Sequence, residues 1–255
     1  MKGIAESVLL RLAPRWLWRR RIASWPITSG EAEEVLLPFL ADPAKTSVDV
    51  GCADGAYALH LYLHSRDVVA FEPNPHSYSS LVQLFRSTSK LRLLPYALSD
   101  SAGQAKLHMP KNRPNLSSLA HASDEGGDMV EVRMVSLDSL ALHDVGLIKI
   151  DVEGHEEATL AGARETIGRE MPVLLIEIEE RHNLGALDRI QSMLSAWRYT
   201  GYFLNEGALK PLSQFDHAVH QNPKNISDGR PQGLYINNFL FLPPSRMNLA
   251  SWPKI

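Results

Sequence analysis

The sequence is poorest in cysteine. Cys52 is the only one in 255 residues. No disulfide can form within the chain, which suits a reducing compartment. Long hydrophobic runs are also missing, and no stretch approaches the ~20 apolar residues of a membrane span. The apolar stretch near Val8 to Leu12 is short and its arginines follow it, so it does not read as a secretory signal. Net charge is only −3, so no global basic field points to nucleic acid. Together these features give the expectation of a cytoplasmic protein without a transmembrane segment or a nucleic-acid partner. Oligomeric state leaves no trace in the sequence.

One local patch departs from this blandness. Arg15-Trp16-Leu17-Trp18-Arg19-Arg20-Arg21 pairs tryptophan with arginine, a combination suited to a lipid surface. It could form a peripheral contact with the inner face of a membrane. The plainer alternative is a short helix that docks its tryptophans on the domain while its arginines face water.

Residues 1–45 read as an N-terminal helical extension and 46–255 as the main domain. Ser29-Gly30-Glu31 starts a helix, with serine as cap and acids in the first turn. Val35, Leu36, Phe39 and Leu40 follow at helical spacing, and Asp42-Pro43 closes the helix.

Beyond residue 46, strands alternate with helices. Ser47–Cys52, Asp67–Glu72, Leu91–Leu98, Gly146–Asp151, Pro172–Glu179, Tyr199–Leu204 and Tyr235–Leu242 read as strands. Ala56–His64, Pro75–Ser87, Glu156–Ile167 and Leu184–Trp197 read as helices. This alternation predicts an α/β fold with a mostly parallel sheet covered by helices on both faces. Gln104–Met109 and Val130–Met134 alternate polar with apolar residues, which predicts a small two-stranded β insert. Two long loops, 110–128 and 217–233, are candidates for functional segments.

The strand ending at Gly51 turns into a helix at Gly55. Glycine lets a ligand approach the backbone, and the helix start offers free N–H groups. A phosphate loop would need Gly-Lys-Ser/Thr after the second glycine, but Ala56-Tyr57 follows. A dinucleotide fingerprint would need glycine where Ala53 stands. Asp49 and Asp54 suit a ligand carrying an ammonium and a sulfonium, and that ligand is S-adenosyl-L-methionine. Glu72 lies 23 residues after Asp49, at a strand end where a carboxylate can accept both ribose hydroxyls. Asp100 follows the third strand, beside the expected adenine, or else caps a turn. The cofactor-binding set is therefore Asp49, Gly51, Asp54, Gly55, Glu72 and Asp100.

Lys149, Asp151, Glu153 and His155 alternate at the end of the fourth strand, which predicts one shared face. Charges in a central strand are costly unless paired, so the set marks an ion-pair network or an active site. On the second reading the catalytic residues are His155, Asp151 and Glu153. His155 is the first choice of general base, since an imidazole titrates near the operating pH; Glu153 is a base or a metal ligand. The reaction needs no metal on this reading, although Asp151, Glu153 and Glu177 could hold Mg²⁺ through oxygens. Asn115, Ser117 and Ser118 on the insert either cover a bound acceptor or serve turns, and Glu177, Glu179, Glu180 and His182 at the end of the fifth strand either contact the acceptor's polar groups or form a solvated loop.

These segments resemble a known family. Val48-Asp49-Val50-Gly51, Phe71-Glu72-Pro73-Asn74, Ala97-Leu98-Ser99-Asp100, Asn115-Leu116-Ser117-Ser118-Leu119, Ser136-Leu137-Asp138-Ser139-Leu140 and Ile148-Lys149-Ile150-Asp151-Val152-Glu153-Gly154-His155-Glu156 are similar, in order and spacing, to the FkbM methyltransferases. The resemblance covers roughly residues 47–180. Cys52-Ala53-Asp54 departs from it, because the family more often shows alanine-asparagine there. The resemblance implies a Rossmann-like class I methyltransferase fold with a seven-stranded sheet whose last strand is antiparallel. It also implies O-methylation of a hydroxyl on a sugar, glycan, glycolipid or sugar-like natural product. The competing readings are a nicotinamide-dependent oxidoreductase and a binding module without catalysis.

Overall fold

A computed structural model describes residues 32–86, 88–110, 117–119, 127–227 and 230–247. The Arg15–Arg21 patch, the Ser29–Glu31 helix start and Asn115 lie outside the described residues. Among the described residues, no helix is long and apolar enough to cross a membrane.

The central sheet grows from runs that are apolar on both faces. Strand β1 (Thr46–Val50) is buried throughout. It pairs in parallel with β2 (Asp67–Phe71) on one side and β7 (Val145–Ile150) on the other. β3 (Leu91–Leu94) extends the sheet beyond β2, and β8 (Val173–Glu177) extends it beyond β7, both in parallel. β11 (Asn238–Leu242), the last strand among the described residues, runs antiparallel to β8 and to β9 (Thr200–Asn205). The sheet holds eight strands rather than seven. The additional one is β10 (Ala208–Pro211), a hairpin partner of β9 turned by Glu206 at φ 51° and Gly207 at φ 71°. It is short, partly exposed and ends in proline, as an outermost strand tolerates.

Helices cover both faces. α1 (Leu37–Leu40), α2 (Ala56–His64) and α3 (Pro75–Phe85) lie on one side. Leu36, Leu37 and Leu40 pack there against Leu147, Val173, Leu175 and Leu240. Each such burial contributes about 1.5–3 kcal/mol. Val35 and Phe39, expected on the same stripe, are exposed, because a 3-10 turn over Ala32–Leu36 precedes α1 and rotates the stripe. α4 (Glu156–Ala161), α5 (Arg164–Glu170) and α6 (Ala186–Ala196) cover the other side, where Leu160, Ile167 and Ile190 meet Ile148, Ile150, Leu174 and Ile176.

Two expected elements are divided. The helix predicted over Glu156–Ile167 breaks at Gly162, where a Cβ would stand 1.9 Å from the Ser99 carbonyl oxygen. The strand predicted over Leu91–Leu98 breaks at Pro95, which has no N–H to continue a ladder. Ala97–Leu98 becomes β4 and joins β5 (Gly103–Pro110) and β6 (Gly127–Val135) in a three-stranded insert of order β4-β6-β5. The 217–233 loop carries a short helix, α7 (His217–His220). Gln221 pins it by donating to the carbonyls of Ile178 at 2.7 Å and Ile236 at 3.0 Å.

Strand order changes direction between β1 and β7. A crevice opens beyond the carboxyl ends of strands at such a switch point.

Candidate active site

The crevice is built on the turn after β1. The N–H groups of Gly51 and Cys52 both donate to the Phe71 carbonyl at 3.0 Å, and the Asp151 N–H donates to the Val50 carbonyl at 3.0 Å. Gly51 has φ 79°, and a Cβ there would lie 1.8 Å from the Asp151 carbonyl oxygen. Only glycine lets the β1 and β7 ends meet this closely.

A pocket of about 600 Å³, its open mouth included, lies over this turn. Val50, Gly51 and Ala53 form its floor, Glu72, Pro73 and Ser77 one wall, and Tyr96, Ala97 and Leu98 another. Asp151, Val152, Glu153 and His155 close the third side, and Leu107, Ser117 and Leu119 approach from the insert. Of the predicted site residues, Gly51, Glu72, Asp151, Glu153 and His155 therefore share one cavity.

Glu72 follows β2 and is buried. Its carboxylate accepts from Ala53 N–H at 2.7 Å and Asn74 N–H at 2.8 Å. Burial lifts its pKa to about 7 despite these two bonds. Asn74 caps α3 by accepting from His76 N–H at 2.9 Å, and its amide donates to Ser117 Oγ at 3.0 Å. The wall that carries Glu72 is thus tied to the insert.

The strand pattern does not extend through the predicted catalytic residues. β7 ends at Ile150. Glu153 has φ 51° and Gly154 φ 97°, so a turn rather than strand alternation aims Glu153 and His155. Ser118 Oγ donates to the Glu153 carbonyl at 2.7 Å, and Gly154 N–H donates to Glu156 Oε1 at 2.8 Å. The Glu153 carboxylate faces His182 Nδ1 at 2.7 Å, and burial raises its pKa. His155 Nε2 lies 3.1 Å from Ser99 Oγ, and burial lowers its pKa.

Four predicted residues do not line the pocket. Asp49 lies buried beneath it, opposite Lys149 in the β1–β7 register, and burial lifts its pKa to about 7. Gly55, at φ 85°, starts α2 against Leu81 and Phe85. Asp54 is exposed and accepts from Ala56 N–H at 3.1 Å. Asp100 is exposed and accepts from Ser101 Oγ at 2.9 Å, which is turn chemistry.

The Mg²⁺ alternative through Asp151, Glu153 and Glu177 is not assembled either. The Lys149 ammonium stands 3.7 Å from Asp151 and 3.8 Å from Glu177, where an ion bridging the two would sit. Glu177 also accepts from Asn237 at 2.6 Å. Among the described residues, Glu153, Glu179 and His182 do come together. There the Arg181 guanidinium forks onto both Glu179 oxygens, and Tyr235 OH adds 2.7 Å.

Sequence reasoning missed Ser77, Tyr96 and Val152 as lining residues. They are ordinary side chains without a spacing signal, although Tyr96 stands just past a strand end. It also missed Tyr57, whose ring lies 4.8 Å from the Lys149 ammonium.

The strand order, the glycine turn and the acid after β2 define a Rossmann-like nucleotide-binding fold. The chain matches the methyltransferase FkbM domain over residues 49–204, more than half its length, and it belongs to that family. It is an S-adenosylmethionine-dependent methyltransferase. It is 26% identical over 186 residues to the 2-O-methyltransferase NoeI of Sinorhizobium fredii, a match covering 64% of this chain and 76% of that one. It is 26% identical over 162 residues to the hexuronic acid methyltransferase AglP of Haloferax volcanii, covering 60% of this chain and 65% of that one. Its fold is similar to the crystal structure of an FkbM methyltransferase from Methylobacillus flagellatus. That TM-score is 0.53 at 14% identity, over 78% of this chain and 44% of the other.

Proposed function

We propose that the chain methylates a hydroxyl oxygen of a sugar or glycan, with the donor seated in the pocket over Gly51. One observation carries the reading: Glu72, Asp151 and Glu153 lie along a single cavity that crosses β2, β1 and β7. Among its described lining residues there is no lysine or arginine. Three carboxylates suit a cationic ligand with a ribose and oppose a pyrophosphate, which counts against a dinucleotide. When bound, S-adenosylmethionine supplies an activated methyl group for in-line displacement by the acceptor oxygen.

Each residue then has a separable task. Glu72 receives the ribose hydroxyls while bracing the Ala53 and Asn74 amides. Gly51 lets the donor approach the backbone. Asp151 sets a negative charge beside the donor's cationic part. The proton of the acceptor hydroxyl goes to Glu153, whose burial makes it a stronger base than an ordinary carboxylate. His155 is the weaker candidate, since burial lowers its basicity and Ser99 engages its Nε2. It lies on the Leu98–Ser99 side of the cavity, away from the β8 end.

The sugar acceptor is supported by the two curated relatives, one named a 2-O-methyltransferase and the other a hexuronic acid methyltransferase. The test is methyl transfer from radiolabelled S-adenosylmethionine to a panel of methyl glycosides of neutral hexoses and hexuronic acids. Label should appear as an O-methyl group on at least one glycoside, and Glu153→Gln should slow it by about 10²–10⁴-fold. A panel without labelled glycoside, from an enzyme that binds the donor, would sink the sugar reading.

A further inference from the structure

We infer that His182 is a positioning residue for methyl transfer, whose Nδ1–H fixes the Glu153 carboxylate at the pocket. The inference rests on Glu153 being the base.

The two side chains come from different elements. Glu153 sits in the turn after β7, and His182 in the loop after β8. Nδ1 and Oε2 are 2.7 Å apart, and the side chains are 20% and 12% exposed. A contact this short and this shielded is a charge-assisted bond rather than a solvated surface pair. Everything around Glu153 fixes it in place. Its φ of 51° costs on the order of 1–3 kcal/mol for a residue other than glycine. Ser118 holds its carbonyl, and Glu156 holds the next amide. A strained residue anchored at its backbone still needs its carboxylate held, and His182 supplies that bond.

His182 is itself fixed. Its N–H donates to the Glu179 carbonyl at 3.0 Å. The Glu179 carboxylate lies within 4.8 Å of the other two groups and is immobilised by Arg181 and Tyr235. The charged groups facing the pair are Asp151, Glu179 and Arg181. Burial works against a charged imidazole, yet the bond to Glu153 and the fields of Glu153 and Glu179 raise the His182 pKa overall. With Arg181 on Glu179 and His182 on Glu153, the cluster is two adjoining ion pairs.

The test uses the full chain with ¹⁵N-labelled histidine, saturated with S-adenosylhomocysteine. The wild type should show a His182 Nδ1–H proton resonance far downfield and slow to exchange, and Glu153→Gln should abolish it. An unprotonated Nδ1, or an unchanged resonance in Glu153→Gln, overturns the pairing. A kinetic arm uses a methyl glycoside that the enzyme accepts. His182→Ala should lower kcat by about 10–100-fold with KM for the donor within about twofold. His182→Asn, whose amide can place an N–H near the lost Nδ1–H, should recover at least about tenfold of it. Unchanged S-adenosylhomocysteine affinity by calorimetry shows that both variants fold. Wild-type kcat in His182→Ala, or Asn no better than Ala, overturns the positioning role. Wild-type kcat in Glu153→Gln instead removes the base reading, and the resonance then reports on the pairing alone.

Discussion

Lys149 and Asp49 are register partners on adjacent buried strands, each about 1% exposed, directly beneath the pocket. The same ammonium lies within 4 Å of Asp151 and Glu177 and over the Tyr57 ring. Two carboxylates therefore share one buried cation, and Asp49 lies in its field. Lys149→Met should destabilise the fold by about 3–5 kcal/mol, because it leaves buried negative charge without its counter-ion. Urea denaturation measures this, and a loss below about 1 kcal/mol would show that the network carries little.

Asp49 gives the network a pH signature. Folding lifts its pKa from the usual 3.8 to about 7. A carboxyl raised on folding contributes stability below its unfolded pKa and loses it as pH rises through the folded one. Asp49→Asn removes that dependence. The variant's stability relative to wild type should therefore climb between about pH 4 and pH 7 and level off above, by on the order of 2–4 kcal/mol. A flat difference across that window contradicts a protonated Asp49.

Glu72→Ala should weaken S-adenosylhomocysteine binding about 10–100-fold, through lost bonds to the ribose. It also strands the Ala53 and Asn74 amides, so stability should fall by about 1–3 kcal/mol as well. Calorimetry separates the effects, since an unchanged Kd would remove Glu72 from the site.

Asp54→Ala should leave that Kd within about threefold, because the carboxylate is exposed and turned to the Ala56 amide. The expected cost is about 1 kcal/mol at the start of α2. A large loss of affinity would return Asp54 to the cofactor set.

Methyl transfer should proceed at an unchanged rate after exhaustive chelation. Lys149 holds Asp151 and Glu177, and Arg181 holds Glu179, so protein cations already occupy these acids. Activity that falls on chelation and returns with Mg²⁺ would refute this.

The parallel strands were legible because their apolar runs are dense, as at Leu174 to Ile178. β10 was not, since a four-residue edge strand buries too little to leave a pattern. Pro95 and Gly162 divided elements whose periodicity ran straight through them, and both act through local backbone chemistry. Glu72 and Gly51 were legible from position alone. Glu153 and His155 do line the pocket, but not by strand alternation: their spacing looks like a strand, and a turn with positive φ sets their aim. The Glu153–His182 bond joins residues 29 apart in sequence on neighbouring strand ends, and no local pattern encodes such a pairing.

Ser117 and Ser118 form a bridge between the two ends of the cavity, one bonded to Asn74 beside Glu72 and the other to the turn that carries Glu153. Replacing the bridge itself disturbs both ends at once. For engineering, this bridge is the part of the insert to keep.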